Sequence, residues 1–398
     1  MQAIVITFDR LATRLLGCYG NEWIETPHLD RLATQATLFT NCHADSVGPH
    51  AGDGWVTGEH SLRPRSNSLP LEELLRRHDV EFRVLDASAV RSNRWAVAGF
   101  GDPQRVEGRD GLEVSPSDVP IAKLVRAVGE VAKGRQREKS LIWLHAPEPG
   151  LPPEGFATLY FEDFEERGQK LDEIPRDEWA QQIAVAAGSM SLVDHWIGEL
   201  FSQLTTASDK EPTLILMTAA RGRSWIDSYL AAIPSRQGGF PVDRLRGQDV
   251  ICPLIVAALN DPRQGSLTGL RCHRLISQAS VFSTLLDWFE IPEEARAGSA
   301  ASLLREAIST EPAQQAVYFG DESRDLGIRT ADWNCLIRLN VADQSIPANL
   351  SYGDSNWPEQ VQLFSKPEDI WDVTDLSPQQ PEVCENLVRK IGGFLKSN

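Results

Sequence analysis

IVITFDRLATRLLGCYGNEWIETPHLDRLATQATLFTN, Ile4 to Asn41, decides the fold. It opens inside an apolar run, Ala3–Phe8, that stops at the charged pair Asp9-Arg10 and is followed by a loop and a helical stretch. Short apolar, β-rich runs alternate with helical patterns through most of the remaining length, which predicts a parallel or mixed sheet covered on both faces. Further strands are predicted at Glu81–Leu85, Ser140–His145, Thr213–Thr218 and Cys252–Ala257, each followed by polar or glycine-containing residues. Ligands in such sheets sit beyond the carboxyl ends of the strands. Asp9, the segment after Trp143 and the segment after Thr218 are therefore expected on one rim.

Between the third and fourth of these strands, Ile183–Leu204 carries Leu192, Trp196, Ile197, Leu200, Phe201 and Leu204 at helical spacing and reads as a covering helix. Gly150–Trp179 reads as a surface excursion with short helices. Gly222–Val250 is a long loop holding Arg223, Arg236, Arg244 and Arg246, and loops of that length are often functional. After Glu311 the pattern changes to strands without long helices between them: Ala316–Gly320, Gly327–Thr330, Trp333–Leu339, Val361–Phe364 and Ile370–Val373, then a terminal helix, Pro381–Lys396. The expected organisation is an α/β domain over residues 1–312 and a small antiparallel subdomain over 313–398.

The 398 residues suffice for a large core without disulfide or metal staples. With 39 Lys+Arg against 56 Asp+Glu the chain carries a formal charge of −17, which repels nucleic acid and anionic lipid at long range. Any anion site must therefore be a local basic pocket. The cysteines Cys18, Cys42, Cys252, Cys272, Cys335 and Cys384 lack C-x-x-C pairing and read as reduced thiols. No stretch reaches the apolar length of a membrane span, and no secretory leader precedes Ala3, so a cytoplasmic location is expected.

The opening run resembles the first strand, loop and helix of the sulfatase family, and six later segments resemble that family in the same order. VGPHAGDGWVTG (Val47–Gly58) stands where sulfatases carry their nucleophile loop, and SLVDHWIGEL, with Asp194 and Gly198, resembles their central helix. TLILMTAARG (Thr213–Gly222) falls at the second metal-ligand strand. ICPLIVAAL (Ile251–Leu259) falls where the family reads V-P-L-I, and LISQASVFSTLLDWFEIP precedes its C-terminal part. IWDVTDLSPQQPEVCENL is similar to its closing turn and last helix. The resemblance implies the alkaline-phosphatase-like α/β fold: a large, mostly parallel central sheet flanked by helices, with a small C-terminal antiparallel sheet and terminal helix.

It also implies a divalent cation, usually calcium, held by carboxylates at strand ends, and here this sequence departs from the family. Asp9 keeps the first ligand position, but its neighbour is Arg10. The second ligand pair aligns with Ala220-Arg221, a methyl group and a cation. The nucleophile position is Val47, which cannot attack sulfur, followed by His50 and Ala51 where the family has Ser and Arg. Ser46 reaches the nucleophile position only by a different loop path, and it needs an activating partner. The family's Pro-His appears as Pro147-Glu148, with His145 three residues earlier. A hard dication takes about 6–8 oxygens, so the loss of carboxylates removes affinity rather than trimming it. Asp53, in an Asp-Gly turn signal, and Glu59 flank the altered loop.

These residues lead to an expectation of a pseudoenzyme without metal or cofactor, in which Arg10, His50, Arg221 and Arg223 are candidates for binding a small anionic ligand. Asp9, Val47, Glu148 and Ala220 are then the remnants of the family's site. The alternative is an active sulfuric or phosphoric ester hydrolase with a non-standard site, holding Ca2+. A third reading, an interaction subunit with a protein partner, predicts an exposed apolar patch on the C-terminal subdomain or the loops around Trp225 and Trp357.

Overall fold

The strand β1, Gln2–Arg10, lies in the middle of the larger of two sheets, which is why its sequence is apolar at nearly every position and why Gln2–Phe8 are all buried. The structure is a computed structural model that describes residues 1–63, 69–88, 103–134, 137–160, 179–207, 211–223, 245–292, 300–310, 314–321, 325–339 and 357–396. The other strands of this sheet are β2 (Thr37–His43), β3 (Val80–Asp86), β4 (Gln104–Arg105), β5 (Lys139–Ala146), β6 (Thr213–Arg221), β7 (Ile251–Leu259) and β8 (Leu270–Ser277), in the order β4-β3-β5-β1-β6-β7-β2-β8. All run parallel except β7, which is antiparallel to both neighbours.

Side chains alternate between two faces. Ala3, Val5, Trp143, Leu216 and Ala220 enter one core, and Ile4, Ile6, Phe8, Leu144 and Met217 the other. The helices α1 (Pro27–Thr34), α2 (Leu71–Arg77), α3 (Pro120–Lys133), α4 (Trp179–Ala207) and α5 (Ser280–Trp288) divide between the faces. Leu71 and Leu75 of α2 and Phe282 of α5 cover the first; Leu29 of α1, Leu124 of α3 and Val193 of α4 cover the second. The covering helix read at Ile183–Leu204 is α4, longer at both ends. The single turn Glu154–Ala157 is the described part of the excursion before it, and residues 161–178 lie outside the described residues.

Strands β9 (Ala316–Gly320), β10 (Asp325–Thr330), β11 (Trp333–Arg338) and β12 (Gln360–Ser365) form the antiparallel second sheet in that order. The terminal helix α6, Pro381–Lys396, packs Leu387, Val388 and Ile391 against it. The architecture read from the sequence is thus the one observed, with one strand misplaced. Ile370–Val373 is a turn: Asp369 accepts hydrogen bonds from the Val373 and Thr374 N–H groups, and Asp372 has φ +55°. A side chain that satisfies the backbone locally competes with strand pairing. Residues 311–313, where the domain boundary was expected, lie outside the described residues.

The family-like segment ICPLIVAAL puts Pro253 inside β7, a central strand, where proline is rare because it cannot donate to the ladder. The neighbouring strand accommodates it. β2 shifts register between Phe39 and Cys42, opposite Pro253, and the phenol of Tyr19 fills the irregularity. Its oxygen takes the Leu254 N–H at 2.6 Å and its proton faces the carbonyls of Phe39 and Leu254 at 3.1 and 3.2 Å.

Candidate functional site

The parallel register of β1 with β5 and β6 brings the three strand ends together on one rim, as the sequence predicted. Phe8 lies beside Ala146 and Ala219, and Arg10 beside Arg221. Those flanking pairs set Ala220 next to Asp9. Alternation places Thr7 and Asp9 on one face of β1, with Trp143 and His145 on the same face of β5.

The four side chains form a chain of hydrogen bonds. Trp143 Nε1 donates to Thr7 Oγ1 at 2.9 Å, Thr7 Oγ1 lies 2.9 Å from His145 Nδ1, and His145 Nε2 lies 3.1 Å from Asp9 Oδ1. A carboxylate only accepts, so the proton between His145 and Asp9 is on Nε2. With Nε2 protonated, a neutral imidazole accepts the Thr7 hydroxyl proton at Nδ1. An imidazolium instead donates there while Thr7 turns to the Leu144 carbonyl at 3.2 Å. His145 is fully buried, whereas the Asp9 side chain is 35% exposed. Trp143 is clamped between Phe82 and Trp55, with ring centroids 6.3 and 6.0 Å away, so the relay sits on a rigid base.

Most of the other predicted residues are drawn into contacts within the chain; among the described residues the Arg10 side chain has no hydrogen bond or ion pair. Arg221 Nη1 donates to the Val47 carbonyl at 2.6 Å, tying the end of β6 to the loop after β2. Arg223 pairs with Glu148 at 2.6 Å, both about one-third exposed. His50 Nδ1 lies 2.9 Å from Asp53 Oδ2, and the Thr57 hydroxyl receives the Glu59 N–H. Arg10 stands beside Arg221 in the register, so two like charges share the rim. Ser46 is fully buried and its Oγ accepts the Gly48 N–H at 3.0 Å, which makes it a turn residue. The loop is stitched to the second sheet, with Val47 N–H donating to the Gly320 carbonyl and Gly320 N–H to that of Asp45. Of the long arginine loop, Arg246 is described and flanks the single turn Gly247–Val250; Trp225, Arg236 and Arg244 lie outside the described residues. Trp357 is partly buried against the core of the second sheet.

All six cysteines are free and buried, and burial raises the pKa of every one, so none is poised as a thiolate nucleophile. No helix among the described residues is long and apolar enough to cross a membrane.

A scan against protein-family models and a search of curated proteins find no match. Solved structures do match, along the whole length. One, reported under the metabolism of multiple glycosaminoglycans by Bacteroides thetaiotaomicron, superposes with a TM-score of 0.68 at 15% identity, covering 99% of this chain and 96% of that one. A second, in complex with its substrate D-glucosamine-2-N,6-O-disulfate, gives 0.69 at 14%, covering 100% and 98%. The phosphonate monoester hydrolase of Agrobacterium radiobacter gives 0.68 at 14%, covering 99% and 95%. The chain has the sulfatase fold. At these identities the likeness is one of architecture, and it holds for sulfatases and phosphonate monoester hydrolases of the alkaline-phosphatase-like superfamily alike.

A sulfatase-fold rim implies a hard dication, and the residues present do not fit one. At the ends of β1 and β6 the carboxylate is that of Asp9, one of whose oxygens accepts the His145 Nε2–H. The neighbouring position is the methyl of Ala220, and guanidinium-bearing residues follow on both strands. Among the described residues, no group of three or more His, Cys, Asp and Glu side chains converges to hold a metal ion. One carboxylate beside two cations supplies far less than the about 6–8 oxygens such an ion takes.

The relay partners Thr7 and Trp143 were not singled out in the sequence, although a period of two was enough to find them. Thr7-x-Asp9 and Trp143-x-His145 each put two polar-tipped side chains on one face of neighbouring strands.

Proposed function

We propose that this protein is a sulfatase-fold binding protein, a pseudoenzyme that keeps the frame of a metal-assisted ester hydrolase without its chemistry and recognises an anionic ligand or a protein partner. The observation that carries this reading is the pairing at the rim: Asp9 is hydrogen-bonded to His145, with Ala220 beside it where the family has a second ligand. Val47 at the nucleophile position, its carbonyl held by Arg221, supports it further. Nucleophilic attack needs a hydroxyl or thiolate next to a base, and among the described residues Ser46 Oγ is hydrogen-bonded to the Gly48 N–H and to no base. Six free, buried cysteines accord with work in the reducing cytoplasm.

Elemental analysis of the purified protein, with assays on aryl sulfates, phosphate monoesters and phosphonate monoesters, tests the reading. Substoichiometric calcium and magnesium and no turnover are expected. Addition of millimolar Ca2+ is expected to leave the melting temperature unchanged in both the wild type and Asp9→Ala. Stoichiometric metal lost in Asp9→Ala, or turnover that this substitution abolishes, overturns the proposal in favour of an active hydrolase.

A further inference from the structure

Where the second sheet meets the carboxyl ends of the first, a cavity of about 60 Å³ opens between Arg14, His43, Arg329, Asn334, Lys366 and Asp372. None of these belongs to the Asp9–His145 relay or to the Val47 loop. Three of them are cations and one is a carboxylate, and the carboxylate is fully engaged. Asp372 accepts the Gly247 N–H at 3.1 Å, Asn334 Nδ2 at 3.1 Å and Lys366 Nζ at 2.7 Å. His43 donates from Nδ1 to the Asn41 carbonyl, and burial keeps the ring neutral. The lining therefore carries two positive charges in excess.

Those charges are held out of water. Arg329 is 7% exposed and Lys366 8%. The Arg329 guanidinium donates to the carbonyls of Thr330, Ala331 and Trp333, which orient it without neutralising it. Arg14 is half-buried, and among the described residues its guanidinium has no hydrogen bond and no ion pair. Burial lowers the pKa of both arginines, that of Arg329 to about 10 even with Asp372 and Asp332 nearby. A desolvated guanidinium without a counter-charge is costly to a fold unless something outside the chain supplies that charge.

We propose that this junction cavity binds one tetrahedral oxyanion, a sulfate or phosphate group, with the fork of Arg14 as its direct ligand and Arg329 and Lys366 supplying the surrounding positive field. A planar guanidinium with unused donors matches two oxygens of such a group at once. Ile370 lies at the cavity, followed by Trp371, which is 39% exposed, so a group carried on a larger molecule has an apolar surface beside it. The site does not depend on whether the rim hydrolyses esters.

Isothermal titration of the full chain with sodium sulfate, sodium phosphate and phenyl sulfate, in chloride buffer of constant ionic strength, tests it. One saturable site is expected, weakened about tenfold or more by Arg14→Gln, less by Arg14→Lys, and unchanged by Arg10→Gln. Comparable binding of the inorganic ions identifies a free ion as ligand, and binding of phenyl sulfate alone identifies an ester group; both support the site. Among the described residues the Arg14 guanidinium makes no hydrogen bond or ion pair, so Arg14→Gln is expected to keep the wild-type melting temperature in chloride and to lose the rise that sulfate gives the wild type. Absence of saturable binding for all three probes, or binding that survives Arg14→Gln, overturns the proposal. Binding lost in Arg10→Gln instead places the anion on the rim and overturns it as well.

Discussion

The consequences of placing single charges at strand ends can be weighed at Asp9 and at His43. The Asp9–His145 contact is a charge-assisted hydrogen bond with one buried and one partly exposed partner, so solvent discounts it. Asp9→Ala is expected to lower stability by about 1 kcal/mol in urea titrations, with or without calcium. A loss several times larger that calcium addition deepens would mean that Asp9 holds metal. His43, at the end of β2, is the opposite case: burial, then the positive charges of Arg329 and Lys366, push its pKa from 6.5 down to about 3, against a raising hydrogen bond to Asn41. Its folded pKa lies below its unfolded one, so between those values the unfolded chain binds the extra proton. The neutral ring's contribution is whole above pH 6.5 and is lost as pH falls toward 3, by up to about 1.4 kcal/mol per pH unit. Urea midpoints of His43→Gln should fall less steeply than those of the wild type between pH 6.5 and 4; parallel curves would show that His43 titrates normally.

Elements impose their own demands, and Tyr19 shows one that no motif announces. Pro253 breaks the ladder between β7 and β2, and the phenol of Tyr19 receives the Leu254 N–H that the irregularity leaves over. Tyr19→Phe keeps the ring and removes the acceptor, burying an unsatisfied N–H. A loss of about 1–3 kcal/mol is expected by chemical denaturation, and a value near zero would show that water replaces the hydroxyl. The helices offer a second test at Gly198 of α4, where an added Cβ comes within 2.4 Å of the His28 ring on α1. Gly198→Ala is expected to cost about 1–3 kcal/mol despite its better helix propensity, measured the same way. Strands buried on both faces were legible in the sequence because apolar residues run through them, as in β1, β5 and β6. β2 and β8 were not: TLFTNCH contains Asn41 and His43, and edge strand β8 exposes Arg271 and His273, so neither carries an unbroken apolar run. Ile370–Val373 erred in the other direction, since its apolar residues are exposed on a turn that Asp369 closes. The rim residues were legible through the family resemblance, but which of them bond to which was not, because hydrogen-bond partners follow from register and sequence does not print register. Arg14 and Lys366 escaped for the same reason, being 352 positions apart and meeting only where the two sheets join.

On the scale of the whole molecule, the second sheet is fastened to the first by core and by charge. Phe319, Leu336 and Phe364 extend from β9, β11 and β12 into the core of the large sheet, so each sheet completes the other's packing. The segment that leads into β7 is pinned from the small sheet's side by two aspartates. Asp325 Oδ2 accepts the Leu245 N–H at 3.2 Å and Asp372 Oδ2 the Gly247 N–H at 3.1 Å. Asp325, 4% exposed, also forms a bidentate pair with Arg338, both bonds at 2.7 Å. This is the geometry in which removal of one partner leaves a buried charge without its counter-ion. Asp325→Ala should therefore cost about 3 kcal/mol, and the manner of the loss distinguishes two pictures of the molecule. If the shared core makes the sheets one cooperative unit, tryptophan fluorescence and far-ultraviolet circular dichroism report a single transition, moved to lower denaturant in the variant with its slope unchanged. If residues 313–398 unfold as a unit of their own, the variant shows two transitions, with only the first moved. A shared core of three large side chains favours the first outcome, in which the second sheet is part of what holds the large sheet folded.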